Sequence, residues 1–172
     1  MPPNDDSYRI TPLEERHARD ILRWRYPAPY DFYDPPEDEH GDHYVSQFLN
    51  PAYQFHAVLN HDASMIGFCS YGIDGQVPGG DYDELALDIG LGMKPEFTGL
   101  GNGADFFAAI LRYAEQNLSA ERIRLTVAKF NQRAMKLYGN FGFELDNEFF
   151  GTISNVPYNI LIRRPSNDEA IL

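Results

Sequence analysis

The alternation of hydrophobic and polar residues is clearest in residues 85–93 and predicts a strand there. Every second residue of this segment is Leu, Ile or Met, and the residues between them include Asp88, Gly90 and Gly92. A two-residue period is typical of a strand, and the small residues leave its second face nearly bare. Further strands are predicted over residues 8–11, 54–59, 65–71, 123–128, 149–154 and 158–163.

Helices are predicted where hydrophobic residues recur every three or four positions. Residues 103–118 carry such a stripe, and residues 132–140 repeat it with Ala134, Leu137 and Tyr138. Further helices are predicted over residues 13–24 and 41–50.

The order of these elements predicts an α+β fold. Turn-forming residues 60–63 join the strands of residues 54–59 and 65–71 into a hairpin, whereas the later part of the chain alternates strand and helix. Four prolines in residues 26–36 exclude a regular helix there and favour a packed loop. We therefore expect one domain over residues 1–172, with a mixed sheet of about six to seven strands flanked by about four helices.

Composition and charge exclude several classes of function. The formal net charge of -12 argues against nucleic acid as a partner and favours a cationic substrate over an anionic one. The sequence has no apolar stretch long enough to cross a membrane, and its start lacks the basic and apolar segments of a signal peptide. Cys69 is the single cysteine, and the histidines show no metal-ligand spacing. We therefore expect a cytoplasmic protein without a disulfide, a metal or a membrane contact.

Glycines at positions 99, 101 and 103 join the glycine-containing strand to the helix that follows it. Such a segment lets the backbone turn sharply at a helix N-terminus, where exposed N–H groups suit a phosphate. Ala104 and Asp105 follow the last glycine, in place of the Lys-Ser/Thr of a Walker loop, and G-x-G-x-G is not the G-x-G-x-x-G of dinucleotide-binding proteins. The segment predicts either a phosphate site of another kind or only a tight strand-to-helix turn.

This segment resembles the CoA-binding signature of the GNAT N-acetyltransferase superfamily, in which a loop of the form Gln/Arg-x-x-Gly-x-Gly/Ala opens a helix. Both glycines of that form are present, whereas Thr98 stands where Gln or Arg is usual. Residues 127–144 resemble the second half of the family domain, with a strand, Asn131, a short helix containing Tyr138 and a Gly-Phe ending. The separation of Asn131 and Tyr138 is similar to that in the branch that includes the ribosomal-protein alanine acetyltransferases.

The resemblance implies a GNAT fold and a reaction in which acetyl-CoA, as co-substrate, donates its acetyl group to a primary amine by direct attack in a ternary complex. It also implies that one strand pairs with the pantetheine arm, which the missing side chains of Gly90 and Gly92 would let approach. Asn131 would contact the cofactor, although it is also a natural N-cap for the helix that follows it. The cofactor-binding residues implied in this way are Leu91, Gly92, Met93, Gly99, Leu100, Gly101, Asn102, Gly103, Ala104 and Asn131.

Catalytic roles are implied for Tyr138 and Asp88. A phenol pKa of about 10 is near the thiol pKa of about 8.5, so Tyr138 would protonate the leaving CoA thiolate, unless it is only a core aromatic on the helix stripe. The related branch often has a glutamate where this chain has Thr126. Asp88, on the bare face of its strand, is the predicted general base, acting through a water, and Glu84 is the second candidate.

The sequence leaves the acceptor open. In this family the loop between the first two helices commonly shapes the acceptor site, which implies that Tyr30, Asp31 and Tyr33 bind the amine, unless they only pack the loop. The predicted partners are a small-molecule or peptide amine and, by pairing of the late strands, a second copy of the chain. A non-catalytic GNAT-fold sensor or interaction module that binds acyl-CoA is an alternative, as is a transferase for a longer acyl-CoA.

Overall fold

The computed structural model describes residues 7–37 and 41–165. Residues 1–6, 38–40 and 166–172 lie outside the described residues, so the predicted domain of residues 1–172 is described without its two ends. The strands are β1 (Tyr8–Pro12), β2 (Phe55–Asn60), β3 (Met65–Tyr71), β4 (Leu87–Met93), β5 (Ile123–Ala128), β6 (Glu144–Phe150) and β7 (Pro157–Arg163). The α-helices are α1 (Glu15–Ile21), α2 (Asp42–Phe48), α3 (Gly103–Asn117) and α4 (Gln132–Asn140).

The strands form a mixed sheet in the order β1-β2-β3-β4-β5-β7-β6. The pairs β1·β2, β2·β3, β5·β7 and β6·β7 are antiparallel, whereas β4 and β5 are parallel. The parallel pair is connected through α3, because parallel strands need a crossover rather than a tight turn. The predicted hairpin and the predicted α+β fold, with seven strands and four α-helices in the part of the chain that is described, are confirmed.

The described residues fall into two compact units, neither of which is continuous in sequence. The first contains the described residues of Met1–Ser70 together with Leu91–Tyr113. The second contains Tyr71–Gly90 and the described residues of Ala114–Leu172. No helix among the described residues is both long enough and apolar enough to span a bilayer.

The core of the first unit forms where α1 and α2 cover the strands that lie beside them. Its buried residues are Leu13, Ala18, Ile21, Trp24, Val45, Ala57, Leu59 and Met65. Phe48 and Phe55 pack against this cluster with their ring centroids 4.8 Å apart. Since each large apolar side chain contributes roughly 1.5–3 kcal/mol when it is fully buried, this cluster is sufficient to hold two helices of seven residues, which would not be stable alone.

The core of the second unit forms around β5 and β7. Ile123, Leu125 and Val127 of β5 are buried, and so are the residues of β7 from Ile160 to Ile162. The hydrophobic run of β7 is typical of a strand that is covered on both faces, whereas β5 alternates its apolar residues with Arg124 and Thr126. The antiparallel register of these strands places the buried Leu125 directly opposite the buried Leu161.

Helix α1 is shorter than the predicted helix of residues 13–24. Glu14 N donates a hydrogen bond of 3.0 Å to Nδ1 of His17, which closes the N-terminal end of the helix. Leu13 N instead donates to the carbonyl of Phe55, at 3.3 Å, and so continues the sheet. The hydrophobic pattern predicted a longer helix because Leu13 is buried, although it lies between β1 and α1 rather than in the helix.

Strand β6 begins at Glu144, earlier than the predicted strand of residues 149–154. It is the last strand in the sheet order, so polar residues are tolerated on it, and its register shifts between Leu145 and Asn147. The shift interrupts the two-residue alternation by which a strand is found in a sequence. Leu145 and Phe150 are exposed by 54% and 67% on this edge, and the homodimer expected through the late strands stays a prediction.

Replacing Gly67 by alanine is expected to lower the free energy of unfolding by about 1–3 kcal/mol, because the site has no room for a methyl group. A Cβ at Gly67 would lie 2.4 Å from the carbonyl oxygen of Gly92 and 2.6 Å from a ring carbon of Phe106, so backbone would have to move. Urea unfolding measures the loss.

Gly139→Ala is the matched control for Gly67→Ala. A Cβ on this glycine of α4 would meet nothing within 4 Å, so the helix preference for alanine is expected to raise stability by about 0.5–1 kcal/mol. Equal unfolding midpoints for the two variants would show that Gly67 is not packed too closely to accept a methyl group.

Candidate functional site

The glycine loop of the first unit has a backbone that requires glycine at two positions. Gly99 and Gly101 have φ values of 71° and 82°, in the left-handed region that other residues rarely adopt. Both are exposed, and α3 begins immediately afterwards at Gly103. Since the first N–H groups of a helix have no partner within the helix, the loop and the first turn of α3 present donors that fit a phosphate group.

The side chain of Thr98, at the start of the glycine loop, has a local role. Its hydroxyl donates a hydrogen bond of 2.7 Å to the carbonyl of Pro95, which closes the short turn of Pro95–Phe97. On the other side of the loop, the amide of Asn102 donates to the carbonyl of Phe97 at 3.4 Å. These bonds fix the loop at both ends without using its glycine amides.

A cavity of about 530 Å³ lies beside the loop in the first unit. Its lining residues are Ser7, Tyr8, Asn60, His61, Ile66, Phe97, Asn102 and Asp105. The carboxylate of Asp105 interacts favourably with the N-terminus of α3 but repels an anion from this side. We therefore expect a phosphate to contact the exposed glycines of the loop rather than to enter the cavity.

The end of β4 also belongs to the first unit, and its small residues have a structural explanation. A Cβ on Gly92 would lie 2.5 Å from a ring carbon of Phe68, so the space at Gly92 is filled by that ring. The expectation that a missing side chain at Gly92 opens room for a ligand is therefore wrong. At the next residue, the carbonyl of Met93 accepts a hydrogen bond of 2.6 Å from the hydroxyl of Tyr26.

The predicted acceptor residues Tyr30, Asp31 and Tyr33 lie in one 3-10 turn of the first unit, Tyr30–Tyr33. Tyr33 is 40% exposed, and its ring lies edge-to-face with that of Phe32, at 5.1 Å between centroids. Aromatic faces beside a carboxylate are a suitable environment for an ammonium group. Phe32 and Tyr33 are each 40% exposed, so both rings are accessible to a ligand.

In the second unit, Asp88 is buried and paired with Arg124. The Oδ1 atom of Asp88 accepts from Nε of Arg124 at 2.7 Å, and Oδ2 accepts from Nη2 of Arg124 at 2.8 Å and from Gln76 at 2.9 Å. The side chains of Asp88 and Arg124 are only 4% and 3% exposed. The hydrogen-bonded carboxylate raises the pKa of Arg124 above its usual value, so the guanidinium stays charged.

The expectation that Asp88 lies on an open strand face is therefore wrong. Three donors surround its carboxylate, which leaves little room for a water-mediated contact with a substrate amine. Glu84, the second candidate base, is also engaged, because its carboxylate accepts from Arg164 at 2.8 Å. Asp88 is therefore not an accessible base, whereas Glu84 is exposed but paired with Arg164, and the identity of the base stays a prediction.

Thr126 of β5 forms a hydrogen bond with Tyr82. The two hydroxyls lie 2.9 Å apart, and the Tyr82 oxygen also accepts from the backbone N–H of Val77 at 2.8 Å. Burial raises the pKa of the Tyr82 phenol, which keeps it protonated. The guanidinium of Arg124 lies over the Tyr82 ring, 4.9 Å from its centroid, so the tyrosine and the ion pair form one cluster.

Asn131 and Tyr138 lie in the second unit, at the start and in the last turn of α4. The side chain of Asn131 accepts from the backbone N–H of Ala134 at 3.1 Å, so its role as N-cap is confirmed. Tyr138 is 8% exposed, and its ring centroid lies 6.4 Å from that of Phe143. This burial agrees with the packing role of the ring, and the catalytic role of the hydroxyl stays a prediction.

Sequence reasoning missed three residues of these clusters: Tyr26, Tyr82 and Arg124. Their partners lie 67, 44 and 36 residues away along the chain, respectively. A local pattern carries no signal for such pairs. The one available signal was Arg124 itself, a charged residue within the otherwise apolar and neutral segment of residues 123–128.

Comparison with protein families gives a match to a model described as the Acetyltransferase (GNAT) family, over residues 16–143. This range includes the glycine loop, Asn131 and Tyr138. No curated protein matches the chain.

Solved structures with the same fold cover nearly the whole chain. The spermidine N-acetyltransferase from Vibrio cholerae, in complex with CoA and spermine, has a TM-score of 0.69 and 20% identity, over 91% of this chain and 95% of that chain. The acetyltransferase (GNAT family) from Bacillus anthracis has a TM-score of 0.71 and 14% identity, over 94% and 96% of the two chains. A chimera of the Vibrio cholerae enzyme and hSSAT has a TM-score of 0.71 and 20% identity, over 96% and 99%. These likenesses establish the fold.

Asp88→Asn is expected to lower the free energy of unfolding by about 3–5 kcal/mol, because it leaves the buried charge of Arg124 without its counter-ion. The substitution keeps the shape of the side chain, so the loss reports the charge of Asp88 and the hydrogen bonds that it accepts rather than packing. Urea unfolding at neutral pH measures it.

Glu148→Gln is the control for Asp88→Asn. Glu148 pairs with Lys129 at 3.2 Å, but both side chains are about half exposed. Such a pair contributes about 0–1 kcal/mol, so this variant is expected to unfold nearly as wild type. A loss for Asp88→Asn as small as that of the control would show that the buried pair does not stabilise the second unit.

Proposed function

Since the chain belongs to the GNAT acetyltransferase family, we propose that this acetyl-CoA-dependent N-acetyltransferase acts on a cationic primary amine by direct attack in a ternary complex. Acetyl-CoA supplies a thioester: its carbonyl carbon bonds to the amine nitrogen, the C–S bond breaks, the amine loses a proton and the thiolate gains one. The observation that carries the proposal is the family match over residues 16–143, within which the glycine loop opens α3 in the required backbone conformation.

The first unit binds the donor in this proposal. The backbone N–H groups from Gly99 to Ala104 hold the pyrophosphate, with help from the dipole of α3. Leu91, Gly92 and Met93 pair through their backbone with the extended pantetheine arm, and the N–H of Met93 donates to the thioester oxygen. Backbone donors fulfil these roles, so Thr98 in place of Gln or Arg does not prevent them.

Proposed roles in the second unit are assigned to Tyr138 and Asn131. Tyr138 protonates the leaving sulfur, which is chemically reasonable because a phenol pKa of about 10 lies near a thiol pKa of about 8.5. Asn131 holds the start of α4 as its N-cap and so positions the helix that carries Tyr138. We assign Asp88 a structural role, namely the ion pair with Arg124, and not the role of general base.

A cationic acceptor is supported by charge and by the turn of Tyr30–Tyr33. The net charge of -12 attracts cations to the protein, and Tyr30, Asp31 and Tyr33 offer aromatic faces and a carboxylate. Spermidine is the first acceptor to test, since the Vibrio cholerae relative acts on spermidine and is solved with spermine. A peptide N-terminus is the second, because the spacing of Asn131 and Tyr138 resembles that of the ribosomal-protein alanine acetyltransferase branch.

Acetyl-CoA is expected to bind the wild-type protein at one site in a calorimetric titration, whereas ATP and NADH are not. Gly101→Ala is expected to weaken this binding roughly 5- to 30-fold, because alanine at a φ of 82° costs about 1–2 kcal/mol and the loop would leave the conformation that exposes its amides. A Cβ at Gly101 meets nothing within 4 Å, so the effect reports conformation and not a clash.

Gly139→Ala serves as the control for this titration and should bind acetyl-CoA as wild type does. Absence of binding to the folded wild-type protein would refute the donor assignment. Equal affinity of wild type and Gly101→Ala would instead refute the loop as the pyrophosphate site.

Tyr138→Phe is expected to lower kcat about 100-fold, with an unchanged Kd for acetyl-CoA, because only the proton donor is removed. CoA thiol release measures the rate, with spermidine or an N-terminal peptide as acceptor. Tyr113→Phe, which removes a hydroxyl 3.3 Å from Nε2 of His56, is the control and should keep the wild-type rate. If both variants turn over like wild type, Tyr138 is not the general acid.

A further inference from the structure

The peptide that joins Met93 to Lys94, at the end of β4, is held from both sides. Lys94 N donates a hydrogen bond of 2.8 Å to the carbonyl of Ile66 on β3. The Met93 carbonyl accepts one of 2.6 Å from the hydroxyl of Tyr26. All of these residues belong to the first unit.

The two bonds define which edge of β4 Tyr26 approaches. In a trans peptide the C=O and the N–H point in opposite directions, so the Met93 carbonyl points away from β3. In an extended strand the N–H and the C=O of one residue point to the same edge. The N–H of Met93, which we assign to the thioester oxygen, is therefore on the edge where the Tyr26 hydroxyl lies.

Met93 is the last residue of β4, where a strand would otherwise fray. A 3-10 turn follows directly at Pro95–Phe97, so the chain leaves the strand just after the bond from Lys94 N to the carbonyl of Ile66. At the Met93 carbonyl, a phenol makes the bond that a neighbouring strand would make elsewhere in a sheet. On the edge that faces away from β3, the end of β4 is consequently held by a side chain.

Tyr26 is itself held firmly. Its ring packs against the buried cluster around α1, and its backbone N–H donates to Oδ1 of Asp34 at 2.8 Å. Burial, together with the nearby Asp34, raises the pKa of the Tyr26 phenol to about 12. The hydroxyl therefore remains a donor at any pH at which the protein would be assayed.

From this geometry, and on the basis of the proposed function, we infer that Tyr26 is a positioning residue for acyl transfer. Its hydroxyl fixes the end of β4 so that the N–H of Met93 stays directed at the thioester oxygen. Tyr26 also follows α1 and leads into the turn of Tyr30–Tyr33, so it ties the segment assigned to the acceptor to the strand assigned to the donor.

The test measures polarisation of the thioester directly and needs no acceptor. Acetyl-CoA labelled with carbon-13 at its carbonyl is bound to the full-length protein, and the carbonyl stretch is recorded by infrared difference spectroscopy. Wild type should lower the stretching frequency relative to free acetyl-CoA. Tyr26→Phe should lose at least about half of that shift, while the Kd for acetyl-CoA changes by less than about threefold.

Two further variants make the result specific. Tyr113→Phe also removes a partly buried phenol hydroxyl of the first unit and should retain the full shift. Asp34→Ala releases the backbone of Tyr26 without touching its hydroxyl, and should reduce the shift in the same direction by a smaller amount. This variant decides the question if Tyr26→Phe does not fold.

A full wild-type shift in folded Tyr26→Phe, or equal shifts in the Tyr26 and Tyr113 variants, would overturn the inference. Loss of acetyl-CoA binding by Tyr26→Phe would also overturn it, because Tyr26 would then be a binding residue. Failure of the wild-type protein to bind acetyl-CoA is a different result, which refutes the proposed function itself.

Discussion

The start of β4 depends on a buried ion pair. Asp88 and Arg124 lie opposite each other in the parallel register of β4 and β5, which covers two residue pairs. Burying each charge costs several kcal/mol, and that cost is offset only when the geometry is good and the remaining hydrogen-bonding groups are satisfied. Both conditions hold, since Gln76 and the carbonyl of Glu84 complete the pair. The short pairing of β4 with β5 is thereby reinforced by the side chains of Asp88 and Arg124, which also pair through their backbones.

At the other end of β4, and in the loop that follows, the chemistry that we assign to the protein is carried mainly by backbone. Backbone donors tolerate substitution at neighbouring side chains, so the hydroxyl of Thr98 can close a turn beside the glycine loop. They do not tolerate a change of conformation. The proposed site therefore requires glycine at positions 99 and 101 and a phenol at position 26 more strictly than it requires particular side chains at the neighbouring positions.

The elements that sequence patterns predicted well are those whose burial is regular. Strand β5 and helix α4 have the bounds predicted, because each keeps one period from end to end. The bounds of helix α1 and strand β6 differed from those predicted where a local feature interrupts the hydrophobic pattern. In α1 this feature is the cap between Glu14 and His17, and in β6 it is the register shift after Leu145. The glycine loop was predictable because its requirement is local, namely a positive φ before a helix N-terminus.

The sequence by itself determined the fold class, the order of the elements, the glycine loop before α3 and the family resemblance, since each depends on residues close together along the chain. Only the tertiary structure decided what Asp88 and Gly92 do, and it showed that one is buried against a guanidinium and the other against a phenyl ring. It also revealed Tyr26, whose partner is 67 residues away. The physical reason is that hydrogen bonding and burial depend on distance in space, and a one-dimensional pattern encodes that distance only where the backbone is regular.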